Sequence, residues 1–139
     1  MTTAKQLGQW AERQAQQLLN DAAYEILQHN YHSRYGEVDL IAMREQEILF
    51  VEVKARGRRA WAGAHEVISA SKQVKIYKTA LDFLEKHPHL HDFYYRFDVI
   101  CFDFNQEIAK NLQHDFSKMQ YDHQWIENAF TINVDLINL

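Results

Sequence analysis

The sequence predicts an α/β fold in which a mixed sheet is flanked by helices, in the order helix, three strands, helix, strand and a tail. Three observations carry that expectation. Apolar residues recur at helical spacing over residues 5–20. Two alternating segments, 37–43 and 48–55, flank a short polar turn. Residues 93–104 form a run dense in aromatic and β-branched side chains. The chain has 139 residues, 47% of them hydrophobic, with four glycines and one proline. That suits a single domain over 1–139, with its core in 5–104 and a C-terminal extension over 105–139.

The first helix rests on Leu7, Trp10, Ala11, Leu18 and Leu19, with no breaker between them. Tyr24, Ile26 and Leu27 mark a strand over residues 24–31 with imperfect alternation. The tract Arg44-Glu45-Gln46-Glu47 is short enough to force the next two strands into a hairpin. Residues 56–63 are basic and punctuated by glycine, which predicts an exposed loop. Ser71 is positioned to cap a helix reaching Lys86, with Val74, Tyr77, Leu81 and Leu84 on one stripe and Ile76, Ala80 and Phe83 beside it. His87 and Pro88 stop that helix, and residues 93–104 read as a central buried strand. In the tail, residues 125–130 and 131–139 fit either two short strands or one strand with a frayed end.

Cys101 is the only cysteine and sits in an apolar run, so no internal disulfide forms and a reducing compartment fits. The first residues lack the order of a signal peptide, and no apolar run is long enough to span a bilayer, so a cytoplasmic protein without a membrane partner is expected. The net charge is −4, but it is unevenly spread. Residues 1–80 carry 11 Lys and Arg against 9 Asp and Glu, and residues 81–139 carry 4 against 10. A polyanion would therefore meet the first half.

A turn centred between Glu45 and Gln46 sets Asp39 opposite Glu52, Ile41 opposite Phe50 and Glu37 opposite Lys54, all six on one face. Opposed carboxylates repel unless a cation lies between them, and a divalent metal resolves the conflict. Magnesium takes oxygen ligands, which suits Asp39, Glu52 and the backbone carbonyl of Val53. Lys54, two residues beyond Glu52, points to the same side and has the chemistry to orient or deprotonate a water and to neutralise a phosphate. Ten Glu and eight Lys give about 0.6 Glu-x-Lys triplets by chance, and charges alternate in any half-exposed hairpin, so the triplet alone decides little.

Context adds to it. The stretches GQWAERQA at residues 8–15, GEVDLIA at 36–42, FVEVKAR at 50–56, Lys72-Gln73 and RFDVI at 96–100 together resemble the YraN-like family of predicted bacterial endonucleases. That family is a branch of the PD-(D/E)XK superfamily related to archaeal Holliday junction resolvases. The resemblance implies a restriction-endonuclease-like core of α-β-β-β-α-β order. It implies catalytic Asp39, Glu52 and Lys54 with an acidic helper at Glu12, a metal site for Mg²⁺ or Mn²⁺, and a DNA substrate, branched or junction DNA by analogy. It also makes a homodimer reasonable, since two strands would be cut. The alternatives are a catalytically silent nucleic-acid-binding module and an interaction subunit of a DNA-processing complex.

Further candidates carry two readings each. Glu12 either leans toward the sheet, with Gly8 permitting close approach, or is a solvated helix glutamate. Lys72 is a phosphate contact or one lysine of an exposed helix face. Arg56, Arg58, Arg59 and Trp61 either pair with phosphates and stack on a base or form a solvated loop. The histidines between His87 and His123 read as surface residues rather than zinc ligands, and Asp98 as a structural hydrogen-bonding group.

Overall fold

The computed structural model describes residues 3–57, 68–105 and 115–132. Helix α1 (Thr3–Asp21) is followed by strands β1 (Glu25–Ser33), β2 (Gly36–Arg44) and β3 (Glu47–Arg56), helix α2 (Ala70–Glu85), and strands β4 (Tyr94–Phe104) and β5 (Tyr121–Phe130). The five strands lie in the order β1-β2-β3-β4-β5, with β3 and β4 parallel and the other neighbours antiparallel. The expected α-β-β-β-α-β order and mixed sheet are therefore present, consistent with a restriction-endonuclease-like core.

Alternation along the strands gives the sheet two buried faces. Leu40, Ala42, Leu49, Val51, Ile100, Phe102 and Phe104 pack against Trp10, Ala15 and Leu19 of α1. Ile41, Phe50, Phe97 and Val99 pack against Ile76, Ala80 and Phe83 of α2. Trp10 is the hub of the first layer, with ring centroids 5.3 Å from both Phe102 and Phe104 and 5.0 Å from Tyr121. α1 ends in a Schellman arrangement: Tyr24 N–H donates to Leu19 and Ala23 N–H to Asn20, with Ala23 at φ 69. This reversal carries the chain into β1.

The structure corrects several expectations. The cap of α2 is Ser69, whose hydroxyl accepts from Lys72 N–H at 3.2 Å, so the helix begins before Ser71. Ser69→Ala should lower stability by about 1 kcal/mol, measured by urea unfolding, with an unchanged m value. The buried stripe of α2 runs through Ile76, Thr79, Ala80 and Phe83, and Leu81 is 41% exposed, because the side chains at 76, 80 and 83 meet the sheet first. A side chain at Gly8 would meet open space, so Gly8 permits no close approach. β5 starts at Tyr121 and covers residues 125–130 in one strand; residues 133–139 lie outside the described part. Asp98 is fully buried, as a structural residue would be. It accepts from Arg96 Nε at 2.9 Å, Trp125 Nε1 at 2.9 Å and Asn128 N–H at 2.9 Å, pinning β5 to β4.

Candidate active site

The predicted register holds, with Ile41 opposite Phe50, but the β2–β3 ladder ends at Leu40 opposite Val51. Asp39 and Glu52 are thus not ladder partners, and neither are Glu37 and Lys54. The reason lies in Asp39, whose Oδ2 accepts the Val53 N–H at 2.8 Å. A side-chain oxygen has taken the place of a backbone carbonyl, so the strands continue beside each other without pairing.

A cavity of about 310 Å³ opens at this point, between the strands and the first turn of α2. Glu37, Asp39 and Glu52 line the strand side, and Ser69, Ser71, Lys72 and Lys75 line the helix side. Asp39 and Glu52 are brought together as the sequence predicts, although through a split between strands rather than a ladder pair. Glu52 is only 2% exposed. Its Oε2 lies 3.2 Å from Lys72 Nζ, and its Oε1 has no hydrogen-bond partner among the described residues. A buried, unpartnered carboxylate oxygen is costly unless something absent from the protein binds it.

The electrostatics follow from burial. Burial, then the nearby Asp39, pushes the Glu52 carboxyl up to about 7. Burial raises Asp39 too, against the lowering effect of the Val53 hydrogen bond. Lys54 is held below the usual lysine range by burial and by the neighbouring positive charge of Lys72. Burial acts against the charge on Lys72 as well, but Glu52 outweighs it and leaves that amine above its ordinary value. Two acids of the cavity wall are shifted up, and Lys54, which is outside the lining but feels both carboxylates, is shifted down, so protons and cations compete here.

The remaining candidates divide. Glu12 is half-buried on α1 and does not line the cavity. Its carboxyl is raised by burial and by Asp39, against a lowering effect of the nearby Asn30. Asn30, in the left-handed region at φ 48, went unnoticed in the sequence, although an Asn inside an irregular strand pattern is the residue type that tolerates such a backbone. Arg56 belongs to β3 rather than a loop, and its Nε donates to Asp103 at 2.8 Å, a cross-strand partner the sequence reading missed. Arg58, Arg59 and Trp61 lie outside the described residues. His87 and His91 contact the carbonyls of Phe83 and Leu84 and so close the C-terminal end of α2. No trio of His, Cys, Asp or Glu able to hold a metal occurs among the described residues. A cation at Asp39 and Glu52 would therefore depend on two carboxylates plus backbone and non-protein oxygens, which is a magnesium-like donor set and fits the unpartnered Oε1.

Comparison with known proteins places this geometry in a family. A model described as "Uncharacterised protein family UPF0102" matches residues 11–102, from within α1 to within β4. The chain belongs to UPF0102. This is the YraN-like family that the sequence resembles. A UPF0102 protein of Acinetobacter baumannii (strain SDF) is 59% identical over 133 residues, covering 96% of this chain and 100% of the relative. Another, of Acinetobacter baylyi, is 54% identical over 129 residues, covering 93% and 92%. A more distant one, of Francisella tularensis, is 34% identical over 128 residues, covering 91% and 96%. The matched UPF0102 region includes Glu12, Asp39, Glu52, Lys54 and Lys72, while β5 lies beyond it. No described helix of this UPF0102 protein is long and apolar enough to cross a membrane.

Proposed function

We propose that this UPF0102 protein is a Mg²⁺- or Mn²⁺-dependent endonuclease of the PD-(D/E)XK superfamily that hydrolyses phosphodiester bonds in DNA, with branched or junction DNA as the preferred substrate. The observation that carries this reading is the buried Oε1 of Glu52, unpartnered among the described residues and held near Asp39, Lys54 and Lys72. Asp39 and Glu52 would hold the ion. Val53, whose amide reaches Asp39, presents its carbonyl to the same strand edge and would add a third oxygen. When bound, the ion lowers the pKa of a water and polarises a phosphoryl group.

The chain's own residues supply the rest. Lys54, depressed by burial and by Lys72, more readily exchanges a proton with a water or alkoxide than an exposed lysine would. Its charged form offsets negative charge growing on the phosphate. Lys72 and Lys75 give the helix side of the cavity a cationic wall for the DNA backbone. Glu12 is an acidic helper on α1, close enough to feel the charge of Asp39 although it does not line the cavity.

A second reading keeps the fold and makes the protein a catalytically silent DNA-binding module. The Lys72–Glu52 ion pair favours it, because it partly neutralises the site without a metal. One assay separates the two. Purified protein is incubated with junction, flap, nicked and linear DNA in Mg²⁺ and in Mn²⁺. Cleavage of junction or flap DNA ahead of linear duplex is expected. Binding without cleavage of any substrate, at high protein concentration with either ion, would establish the silent module instead. Sedimentation of the DNA complex would test the dimer that paired cuts call for.

A further inference from the structure

We infer that Lys72 is a displaceable internal cation: in the metal-free protein its ammonium occupies Glu52, and metal binding releases it to the substrate phosphate. This rests on the metal-dependent reading above and adds how the site is kept and then armed. Lys72 Nζ contacts Oε2 of Glu52 at 3.2 Å, while Oε1 of the same carboxylate stays unpartnered among the described residues. One cation therefore satisfies half of a group built to take more.

The two partners differ in freedom. The Glu52 side chain is 3% exposed and fixed in the sheet, whereas the Lys72 side chain is 44% exposed on the first turn of α2. Lys72 can rotate toward solvent at the cavity mouth without moving its helix, and Glu52 cannot follow. A doubly charged ion shared by Asp39 and Glu52 would repel an ammonium in direct contact with the same carboxylate. The displaced amine stays on the wall formed by Ser69, Ser71 and Lys75, at the positive end of the helix, where a phosphate oxygen would lie. Metal affinity and Lys72 engagement are then linked, and each weakens the other by the same factor.

The test is Mn²⁺ binding by titration calorimetry, at mildly alkaline pH so that protons do not compete. Wild type is compared with Lys72→Met, Lys72→Gln and Lys75→Met, each checked for an unchanged thermal melt. Both Lys72 variants should bind Mn²⁺ about tenfold more tightly, within the usual range of site coupling. Lys75→Met should change little, since Lys75 shares the cavity but not the ion pair. In parallel, Lys72→Met should lower the salt slope of junction-DNA binding by about one with Ca²⁺ present, and leave it unchanged without the ion. If neither wild type nor the Lys72 variants bind Mn²⁺, the metal site itself falls. If wild type binds and the Lys72 variants bind no tighter, or Lys75→Met tightens equally, the displacement alone is overturned. A salt slope indifferent to the ion overturns the release to phosphate.

Discussion

Asp39→Asn and Lys54→Ala are each expected to slow metal-dependent DNA cleavage by about 10²–10⁴-fold, the usual cost of removing a general base or an electrostatic stabiliser. Asp39→Asn is the cleaner of the two. Its side-chain oxygen can still accept the Val53 N–H, so the split between β2 and β3 is retained while a negative charge at the ion site is lost. Lys54→Ala removes a half-buried amine and leaves the Lys72–Glu52 ion pair in place. The thermal melts of both variants should stay close to wild type, which separates lost chemistry from lost structure. Single-turnover cleavage of a junction substrate is the measurement. Rates within a few-fold of wild type for both variants would remove these residues from the reaction.

Glu52→Gln is expected to make the metal-free protein more stable above neutral pH, by on the order of 3 kcal/mol. The sign follows from the direction of the shift. Burial and Asp39 raise Glu52 from 4.5 to about 7, so the folded state holds its proton more tightly than the unfolded chain does. The stability this provides is complete below about pH 4.5 and is lost as pH climbs through about 7. Wild type should therefore weaken across that interval and then level off. Glutamine carries no such titration and removes the part of the decline that Glu52 causes, so the gap between the proteins widens from pH 4.5 to 7. Asp39 is raised in the same direction and adds a loss of its own in both proteins. The Lys72 amine stays charged throughout this window, so losing its partner adds no pH dependence there. Urea unfolding at several pH values, in chelator, reads the difference directly. Adding Mg²⁺ should then stabilise wild type and leave Glu52→Gln nearly unchanged, because only the former gains a ligand on folding. Parallel pH curves for the two proteins would show that Glu52 is not held against its charge.

The contrast between these experiments reflects what each residue does for the fold. Asp39 bridges two strands through a hydrogen bond that an amide can also make, so its charge is dispensable to structure. Glu52 has one oxygen on a mobile lysine and another on nothing described, so its charge strains the metal-free protein. A site of this kind trades stability for readiness to bind.

Local periodicity was enough to determine α1, the β2–β3 hairpin and its register, α2, and the buried β4, because each buries a face whose spacing is written in consecutive residues. The acid, acid and amine of Asp39, Glu52 and Lys54 were legible for the same reason, since alternation fixes the side of a strand from which each projects. Tertiary packing decided the rest. The stripe of α2 came to rest on Ile76, Ala80 and Phe83 with Leu81 left outside, and β5 was extended back to Tyr121 by pairing with β4. Asp39 ended the ladder by taking the Val53 amide, Asp103 claimed Arg56, and Lys72 crossed from its helix to Glu52. These last contacts join residues from 14 to 47 positions apart along the chain or from separate elements. Which polar partner a side chain finds at that distance depends on how the elements pack, a relation that no local pattern of residues encodes.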